Sequence, residues 1–201
     1  MSGHLCCRKA AIIVAALIQG APVALPEPSM AQVVKAYPAG WFILESIVPD
    51  HRPPNNPSSL DAGRDGFVRV NSKTRTIFKG FHWKITFPAA GPMGRVRLRS
   101  RLYETAGGCL SRDGKQTPGY VGYAPVIKKC TSPSTLWQAY GQGGNRYVFC
   151  SPDTGGINWP FVYRACLERN DPFTAEYARM GVYPSGSFPP KMIWLVRQPV
   201  D

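Results

Sequence analysis

Short runs of alternating apolar and polar residues make up most of this chain, and prolines or glycines separate them. Strands are therefore predicted at residues 67–70, 81–85, 95–102, 147–149 and 192–196. The 20 glycines and 20 prolines punctuate the chain too often for long helices. One short helix is expected at residues 174–180, an extended arm at 32–38 and a proline-rich surface loop at 49–59.

A tryptophan inside a short apolar run recurs three times. Trp83, Trp137 and Trp194 lie 54 and 57 residues apart, and each run is followed by a proline or glycine. Three similar units at this period predict an all-β fold, a β-trefoil, in which three lobes share one core and each contributes its tryptophan. The alternative is that three of the five tryptophans fell at similar intervals by chance.

Four cysteines follow the N-terminal region: Cys109, Cys130, Cys150 and Cys166. An even number in an exported chain implies disulfides, and four cysteines allow three connectivities. Pairing of sequence neighbours is preferred, because each bridge would then staple one lobe internally. A zinc site is disfavoured because no CxxC spacing is present. Neither a metal nor another cofactor is expected.

The N-terminus has the three-part pattern of a secretory signal. Arg8 and Lys9 precede the uncharged segment 10–25, and Ser29-Met30-Ala31 offers a cleavage site before Gln32. A membrane span needs about 20 apolar residues. Glycine and prolines interrupt this segment earlier, so no integral membrane anchor is expected.

These patterns predict three segments along the chain. A signal peptide occupies residues 1–31, and an arm with an irregular first-lobe segment occupies 32–66. The remainder of a single β-trefoil domain occupies 67–201, with the first lobe continuing from the preceding segment. The protein is expected to be secreted, and periplasmic in transit if its source is Gram-negative.

The chain is strongly basic. Its net charge is +12, and loss of residues 1–31 would leave +11. In a cytosolic protein this excess would suggest nucleic acid. For an exported chain, the expected partners are acidic glycans, anionic lipid headgroups or an acidic protein, and no direct nucleic-acid binding is expected. The alternative is that the charge only keeps the chain soluble.

Much of this charge lies on one predicted strand, residues 95–102. Strand alternation would place four arginines on one face and the apolar residues Val96, Leu98 and Leu102 on the other. These arginines form a candidate surface for an anionic partner: Arg95, Arg97, Arg99 and Arg101. The alternative is a solvated face that blocks edge pairing.

The residues needed for catalysis are sparse. After the N-terminal segment the histidines are His51 and His82, and no nucleophile or phosphate-loop motif accompanies them. His82 is expected to alternate with Trp83, so that one faces the core and the other faces solvent. The carboxylates are scattered along the chain, so any two that lie close together are attributed to chance and not to a catalytic acid–base pair. The chain is therefore not expected to be an enzyme.

The cysteine and tryptophan layout of the second and third lobes resembles a known family. Ricin-type lectin lobes share the Cys-Leu…Cys…Trp order, and the match is closer to the A/C subunits of cytolethal distending toxin, nearer the C subunit. The resemblance covers roughly residues 67–199. It rests on Gly108-Cys109-Leu110-Ser111-Arg112-Asp113-Gly114, Lys129-Cys130-Thr131-Ser132, Ala165-Cys166, Asp171-Pro172-Phe173 and Met192-Ile193-Trp194-Leu195-Val196.

This resemblance implies a non-catalytic delivery role. In the toxin family the A and C subunits flank a DNase-I-like nuclease subunit, hold it in a complex and engage the host cell surface. The implied partners are that nuclease, a sister lectin-like subunit and a host glycan or glycolipid.

The resemblance also implies where a sugar would bind. In ricin-type lobes an acidic residue soon after the first cysteine accepts hydroxyl hydrogen bonds, an aromatic ring stacks on the sugar, and a glutamine near the tryptophan adds polar contacts. In the second lobe Ser111 occupies the acidic position, whereas Asp113 comes two residues later and Gln138 follows the tryptophan. The pocket therefore looks degenerate. Candidate glycan contacts are Asp113, Gln138 and the loop residue Trp159, whereas the repeat tryptophans are assigned to the core.

Three other functions remain open. The chain could be a stand-alone secreted carbohydrate-binding lectin, or a small secreted hydrolase. It could also be a Kunitz-type trefoil protease inhibitor, which has a similar length and two disulfides, although the cysteine spacing here fits that family less well.

Overall fold

The computed structural model describes residues 39–48, 58–71, 78–88, 94–116, 123–153, 157–158, 161–170, 177–184 and 186–199. Within them the regular structure consists of β-strands and three 3₁₀ turns, with no α-helix. The strands are β1 (Ile43–Ser46), β2 (Ser59–Ala62), β3 (Val68–Asn71), β4 (Trp83–Thr86), β5 (Arg95–Ser100), β6 (Gly108–Gln116), β7 (Tyr123–Lys129), β8 (Trp137–Gly141), β9 (Arg146–Cys150), β10 (Ile157–Asn158), β11 (Phe161–Arg169), β12 (Ala178–Pro184) and β13 (Trp194–Arg197). The 3₁₀ turns are Lys79–Phe81, Pro133–Thr135 and Pro190–Met192.

The strands form three successive lobes with one plan. Each lobe has a first strand, a hairpin, a 3₁₀ turn and a last strand that begins at a tryptophan. The hairpins are β2–β3, β6–β7 and β11–β12, all antiparallel. The last strand of each lobe pairs with the first strand of the next, as β4–β5, β8–β9 and β13–β1. The third of these pairings closes the ring.

Within each lobe the first and last strands also touch. Phe42 bridges to Trp83, Val96 pairs with Trp137, and Tyr147 pairs with Trp194. Six strands therefore form a closed barrel, and the three hairpins extend from it. This arrangement is a β-trefoil, as the tryptophan spacing predicts.

The three tryptophans lie in the shared core and are each 0% exposed. Burial of so large an indole requires a partner for its N–H group. The partner is the backbone carbonyl of a leucine in the same lobe. The bonds are Trp83 Nε1 to Leu60 O at 2.9 Å, Trp137 Nε1 to Leu110 O at 3.0 Å and Trp194 Nε1 to Leu167 O at 3.2 Å. The assignment of these tryptophans to the core is confirmed.

The disulfides connect sequence neighbours. Cys109 is bonded to Cys130 within the second lobe, and Cys150 is bonded to Cys166 within the third. Cys150 and Cys166 are also cross-strand partners, and the corresponding partners in the first lobe are Glu45 and Ser59. The first lobe therefore has no cystine at this position.

Several local predictions differ from the structure. The helix expected at residues 174–180 is wrong where it can be compared, because Ala178, Arg179 and Met180 belong to β12. Seven residues of β12 pair with β11, and this pairing outweighs local helix preference. The segment 32–66, expected to be irregular, contains β1 and β2. The loop expected at 49–59 ends in buried residues, since Ser58 and Ser59 are 1% and 8% exposed.

Other expectations concern parts of the chain outside the described residues. They are the signal peptide at 1–31, the arm at 32–38 and most of the proline-rich loop. Within the described residues, no helix has the length and apolar character needed to cross a bilayer.

Candidate functional site

The trefoil places one corresponding residue of each lobe beside the 3₁₀ turn of that lobe. It is the residue that follows the leucine bonded to the tryptophan: Asp61, Ser111 or Glu168. Ser111 is also the residue at which the lectin resemblance expects an acid. The repeat therefore puts acids at the matching place in the first and third lobes.

A cleft of about 390 Å³ opens beside Asp61 in the first lobe. Phe78, which is 52% exposed, precedes the 3₁₀ turn and contributes an aromatic face. Arg64 and Lys79 bring two cations to the same cleft. The cleft is lined by Asp61, Ala62, Gly63, Arg64, Phe78, Lys79, Gly80 and Leu102.

Burial and neighbouring charges set the state of the Asp61 carboxylate. Burial raises its pKa, and the nearby Arg69 charge and a hydrogen bond from Asn71 offset this effect in part. Arg69 lies opposite Asp61 on β3, but its guanidinium donates to Asp65 over 2.8 and 2.5 Å. A Cβ atom at Gly80 would collide with Asp61 Oδ1, so glycine makes room for the carboxylate at the edge of the cleft.

The third lobe has a larger cleft, of about 680 Å³, whose lining includes Glu168. The carboxylate of Glu168 is already bound by neighbouring side chains. Glu168 is 0% exposed. Arg179 donates to Oε1, Tyr183 donates to Oε2 over 3.0 Å, and Lys191 Nζ lies 3.4 Å from Oε2. Burial lowers the pKa of Lys191, yet its contacts with Tyr183 and Glu168 outweigh burial and raise that pKa overall. These contacts leave the carboxylate little capacity for a ligand, so cleft size alone does not identify the better site.

The second lobe fills the same place with its own side chains. Ser111 Oγ lies 2.9 Å from Ser134 Oγ. Arg112 donates to Ser151 Oγ over 2.5 Å and to Asp153 over 3.0 Å, which ties the second lobe to the third.

Asp113 and Gln138, the two candidate glycan contacts of the second lobe, have different neighbours. Asp113 is exposed and lies 2.6 Å from Lys128 Nζ, and the hydrogen bonds from Lys128 and Ser134 lower its pKa. Gln138 is on β8, where its backbone faces Arg95 and Cys150. Trp159, the third candidate, lies outside the described residues, as does His51.

The arginine strand, predicted at residues 95–102, alternates as predicted from Arg95 to Ser100. Val96 and Leu98 are each 0% exposed and face the core, whereas Arg95, Arg97 and Arg99 lie on the outer face. Arg101 does not continue this row, because β5 ends at Ser100.

The expectation that either His82 or Trp83 faces solvent is wrong. Both side chains are buried, at 5% and 0% exposure. His82 caps the first 3₁₀ turn and precedes β4, so strand alternation has not begun at that residue. Arg101 covers it, with Nη1 lying 2.8 Å from His82 Nδ1 and the guanidinium lying 5.8 Å from the Trp41 ring centroid.

Sequence reasoning missed Asp61, Phe78 and Glu168. A signal for the two acids exists in the sequence, because Ser59-Leu60-Asp61 and Cys166-Leu167-Glu168 parallel Cys109-Leu110-Ser111. By cysteine order, Cys150 follows the second-lobe pair and would match Cys109, whereas the strand pairing makes Cys166 the equivalent of Cys109. Matching by cysteine order therefore conceals the acidic position at Glu168. Among the described residues, no cluster of three or more His, Cys, Asp or Glu is arranged to hold a metal ion.

Comparisons with known proteins support the fold alone. No protein-family model matches the chain, and none of the curated proteins matches it. Among solved structures the chain is similar to ThreeFoil, a designed 3-fold symmetric protein, with a TM-score of 0.51 and 16% sequence identity. The alignment covers 79% of this chain and 98% of ThreeFoil.

Proposed function

We propose that this chain is a secreted, non-catalytic binding subunit that recognises a sugar through the cleft of its first lobe. The observation that carries this proposal is the Asp61 carboxylate in one cleft with the half-exposed Phe78 ring. A sugar has apolar C–H faces and many hydroxyl groups, so it needs both an aromatic surface and a charged acceptor. Lys79 and Arg64 add donors for its ring and hydroxyl oxygens.

The wider proposal is that the subunit works within an assembly like cytolethal distending toxin. Its support is the trefoil fold with one cystine in each of the second and third lobes, together with the sequence resemblance. In such an assembly the chain holds a separate DNase-I-like nuclease beside a sister lectin-like subunit. The sugar cleft then engages a host glycan or glycolipid, and the nuclease performs the chemistry.

A glycan array with the purified protein tests the sugar site. Asp61→Asn and Phe78→Ala should each weaken binding by about tenfold or more, because each removes one of the two complementary contacts. Asp113→Asn is the matched control, since Asp113 is an exposed acid outside this cleft. Equal losses with Asp61→Asn and Asp113→Asn, or no glycan bound by the unmodified protein, would contradict the proposal.

A separate experiment tests the assembly. The tagged chain is recovered from the medium of its native producer, and the eluate is assayed for DNA nicking. A stoichiometric nuclease subunit supports the toxin-like role. Recovery of the chain alone, with glycan binding intact, supports a stand-alone lectin instead.

A further inference from the structure

The outer face of the β4–β5 pair, where the first lobe meets the second, carries a group of basic side chains that we call the basic face: Lys84, Arg95, Arg97 and Arg99. Lys84 is exposed on β4, and the three arginines alternate with buried residues on β5. The Asp61 cleft is lined by none of these four residues.

The strand register brings like charges together on this face. Lys84 is the direct cross-strand partner of Arg99, and Arg97 follows on the same face opposite Thr86. Like charges directly opposite each other destabilise a sheet. The Lys84–Arg99 pair at the centre of the basic face is therefore electrostatically unfavourable in the absence of an anion.

Among the described residues, no neighbouring acid balances the charge of the basic face. In the part of the chain that the structure describes, no carboxylate oxygen lies within 4.0 Å of the charged groups of these four residues. Arg99 Nη2 donates to the carbonyl oxygen of Glu104 over 2.8 Å, which fixes that side chain without neutralising it. The Nε atoms of Arg97 and Arg99 are buried and make no hydrogen bond. An anion would supply both the missing charge and acceptors for neighbouring guanidinium nitrogens.

The basic face is also fixed in position. β5 is hydrogen-bonded to β4, β6 and β8, so its backbone has no free edge over most of its length. An extended peptide cannot add to it as a further strand. A ligand therefore meets side chains alone, arranged in a row whose arginines repeat about every 6.8 Å along the strand.

From this arrangement we propose that the basic face binds a linear sulfated polysaccharide. Such a chain presents strong anions at regular intervals along one direction, as the arginines do. Guanidinium groups donate paired hydrogen bonds to sulfate oxygens, and sulfate stays ionised at all relevant pH values. This inference goes beyond the proposed function, because the basic face lies outside the sugar cleft and needs no toxin partner.

Heparin is the probe, and its dissociation constant is measured by calorimetry over a range of sodium chloride concentrations. The affinity should fall steeply with salt, as for a complex that releases counterions. Desulfated heparin, which keeps its carboxylates, should bind at least about tenfold more weakly. Polyglutamate of similar charge should also bind weakly. Equal binding of these polyanions would overturn the assignment of sulfate as the recognised group.

Two charge-matched variants locate the site. Arg97→Gln/Arg99→Gln should weaken heparin binding by about tenfold or more, and should lower the slope of log Kd against log salt by about two. Arg146→Gln/Arg197→Gln removes the same charge from exposed positions in the third lobe and should have little effect. Equal losses in both variants would mean that net charge, not the basic face, binds heparin.

Melting temperatures check that the variants are folded. Lys84→Gln, at an exposed position, provides a second test if the double arginine variant does not fold, and it should also weaken binding. Arg97→Lys/Arg99→Lys keeps the charge and removes the forks, so it should recover part of the affinity. Glycan binding that is unchanged in Asp61→Asn, or absent from the unmodified protein, would reject the sugar cleft. Heparin binding that still depends on the basic face would leave this inference standing.

Discussion

Trp194 and Leu167 are joined by a hydrogen bond of 3.2 Å, from the indole nitrogen to the backbone carbonyl oxygen across the hairpin of the third lobe. The same bond, at 3.0 and 2.9 Å, joins Trp137 to Leu110 and Trp83 to Leu60. Each bond joins the last strand of a lobe to the first strand of its hairpin. All three tryptophans belong to one core. Loss of the bond in any lobe should therefore lower the free energy of unfolding of the whole domain.

Substitution of one of these tryptophans should destabilise the domain even when an aromatic ring is kept. Trp137→Phe leaves the Leu110 carbonyl buried without its donor, which costs about 1–3 kcal/mol, and the smaller ring adds a cavity. Trp83→Phe and Trp194→Phe should cost similar amounts, since their environments correspond. Urea unfolding followed by circular dichroism measures the three free energies. A near-zero cost at one position would show that its lobe does not share the common core.

The disulfides should each contribute to stability by restricting the unfolded chain. The bridged cysteines are 21 residues apart in the second lobe and 16 apart in the third. Loops of this size correspond to about 3 kcal/mol each. The double variants Cys109→Ala/Cys130→Ala and Cys150→Ala/Cys166→Ala should therefore have lower unfolding midpoints in guanidinium chloride. Peptide mapping of the unmodified protein under non-reducing conditions checks the pairing, and a peptide linking Cys109 to Cys166 would contradict it.

Features with a strong local signal could be predicted from the sequence. The spacing of the tryptophans predicts the three lobes, and the order of the cysteines predicts the disulfide pairing. Strict alternation predicts which residues of β5 face the core and which lie on the outer face. Each of these signals depends on residues close in sequence or on a repeat. The tertiary pairing of β12 with β11 has no such signal, which explains the failed helix prediction at residues 178–180.

The Asp61 cleft could not be predicted because its residues come together only in the folded lobe. Asp61 and Phe78 are 17 positions apart in the sequence. The first lobe also lacks the cystine that marks the other two, so sequence comparison passed over it. Asp113 follows a cysteine, as the acid of the lectin pattern does, but its side chain forms an exposed ion pair with Lys128.

Arg179 and Glu168 should respond unequally to substitution. Glu168 is 0% exposed and Arg179 is 38% exposed by side chain, so the two groups differ in access to water. Glu168→Gln leaves a guanidinium that can turn to solvent, and should cost about 1–3 kcal/mol. Arg179→Gln leaves a buried carboxylate with one partner fewer, and should cost more. Unfolding free energies at neutral pH compare the two variants.

A matched pair elsewhere in the chain serves as the control. Arg197 and Glu45 form an ion pair at 3.1 Å in which the arginine side chain is 59% exposed. The Glu45 side chain is 14% exposed, whereas Glu168 is fully buried. Because water reaches this pair more freely, Arg197→Gln should cost less than Arg179→Gln. A larger cost for Glu168→Gln than for Arg179→Gln would mean that Lys191 and Tyr183 satisfy the carboxylate without Arg179.

Substitution of Asp61 should separate stability from binding. Burial raises the pKa of this carboxyl, and the opposing effects of Arg69 and Asn71 do not cancel the rise. The folded protein therefore holds the proton more tightly than the unfolded chain does. Ionised Asp61 lowers stability above the folded pKa, and this cost disappears as the pH falls below the unfolded value.

Asp61→Asn removes that cost while it removes the charged acceptor from the cleft. Its melting temperature at neutral pH should equal or exceed that of the unmodified protein, and the difference should shrink as the pH is lowered through the acid range. Sugar binding should be weak in this variant at every pH. In the unmodified protein it should decline on acidification, because protonation removes the acceptor. Destabilisation by Asp61→Asn at neutral pH would show that the carboxylate holds the lobe together, and would leave the cleft without a group reserved for a ligand.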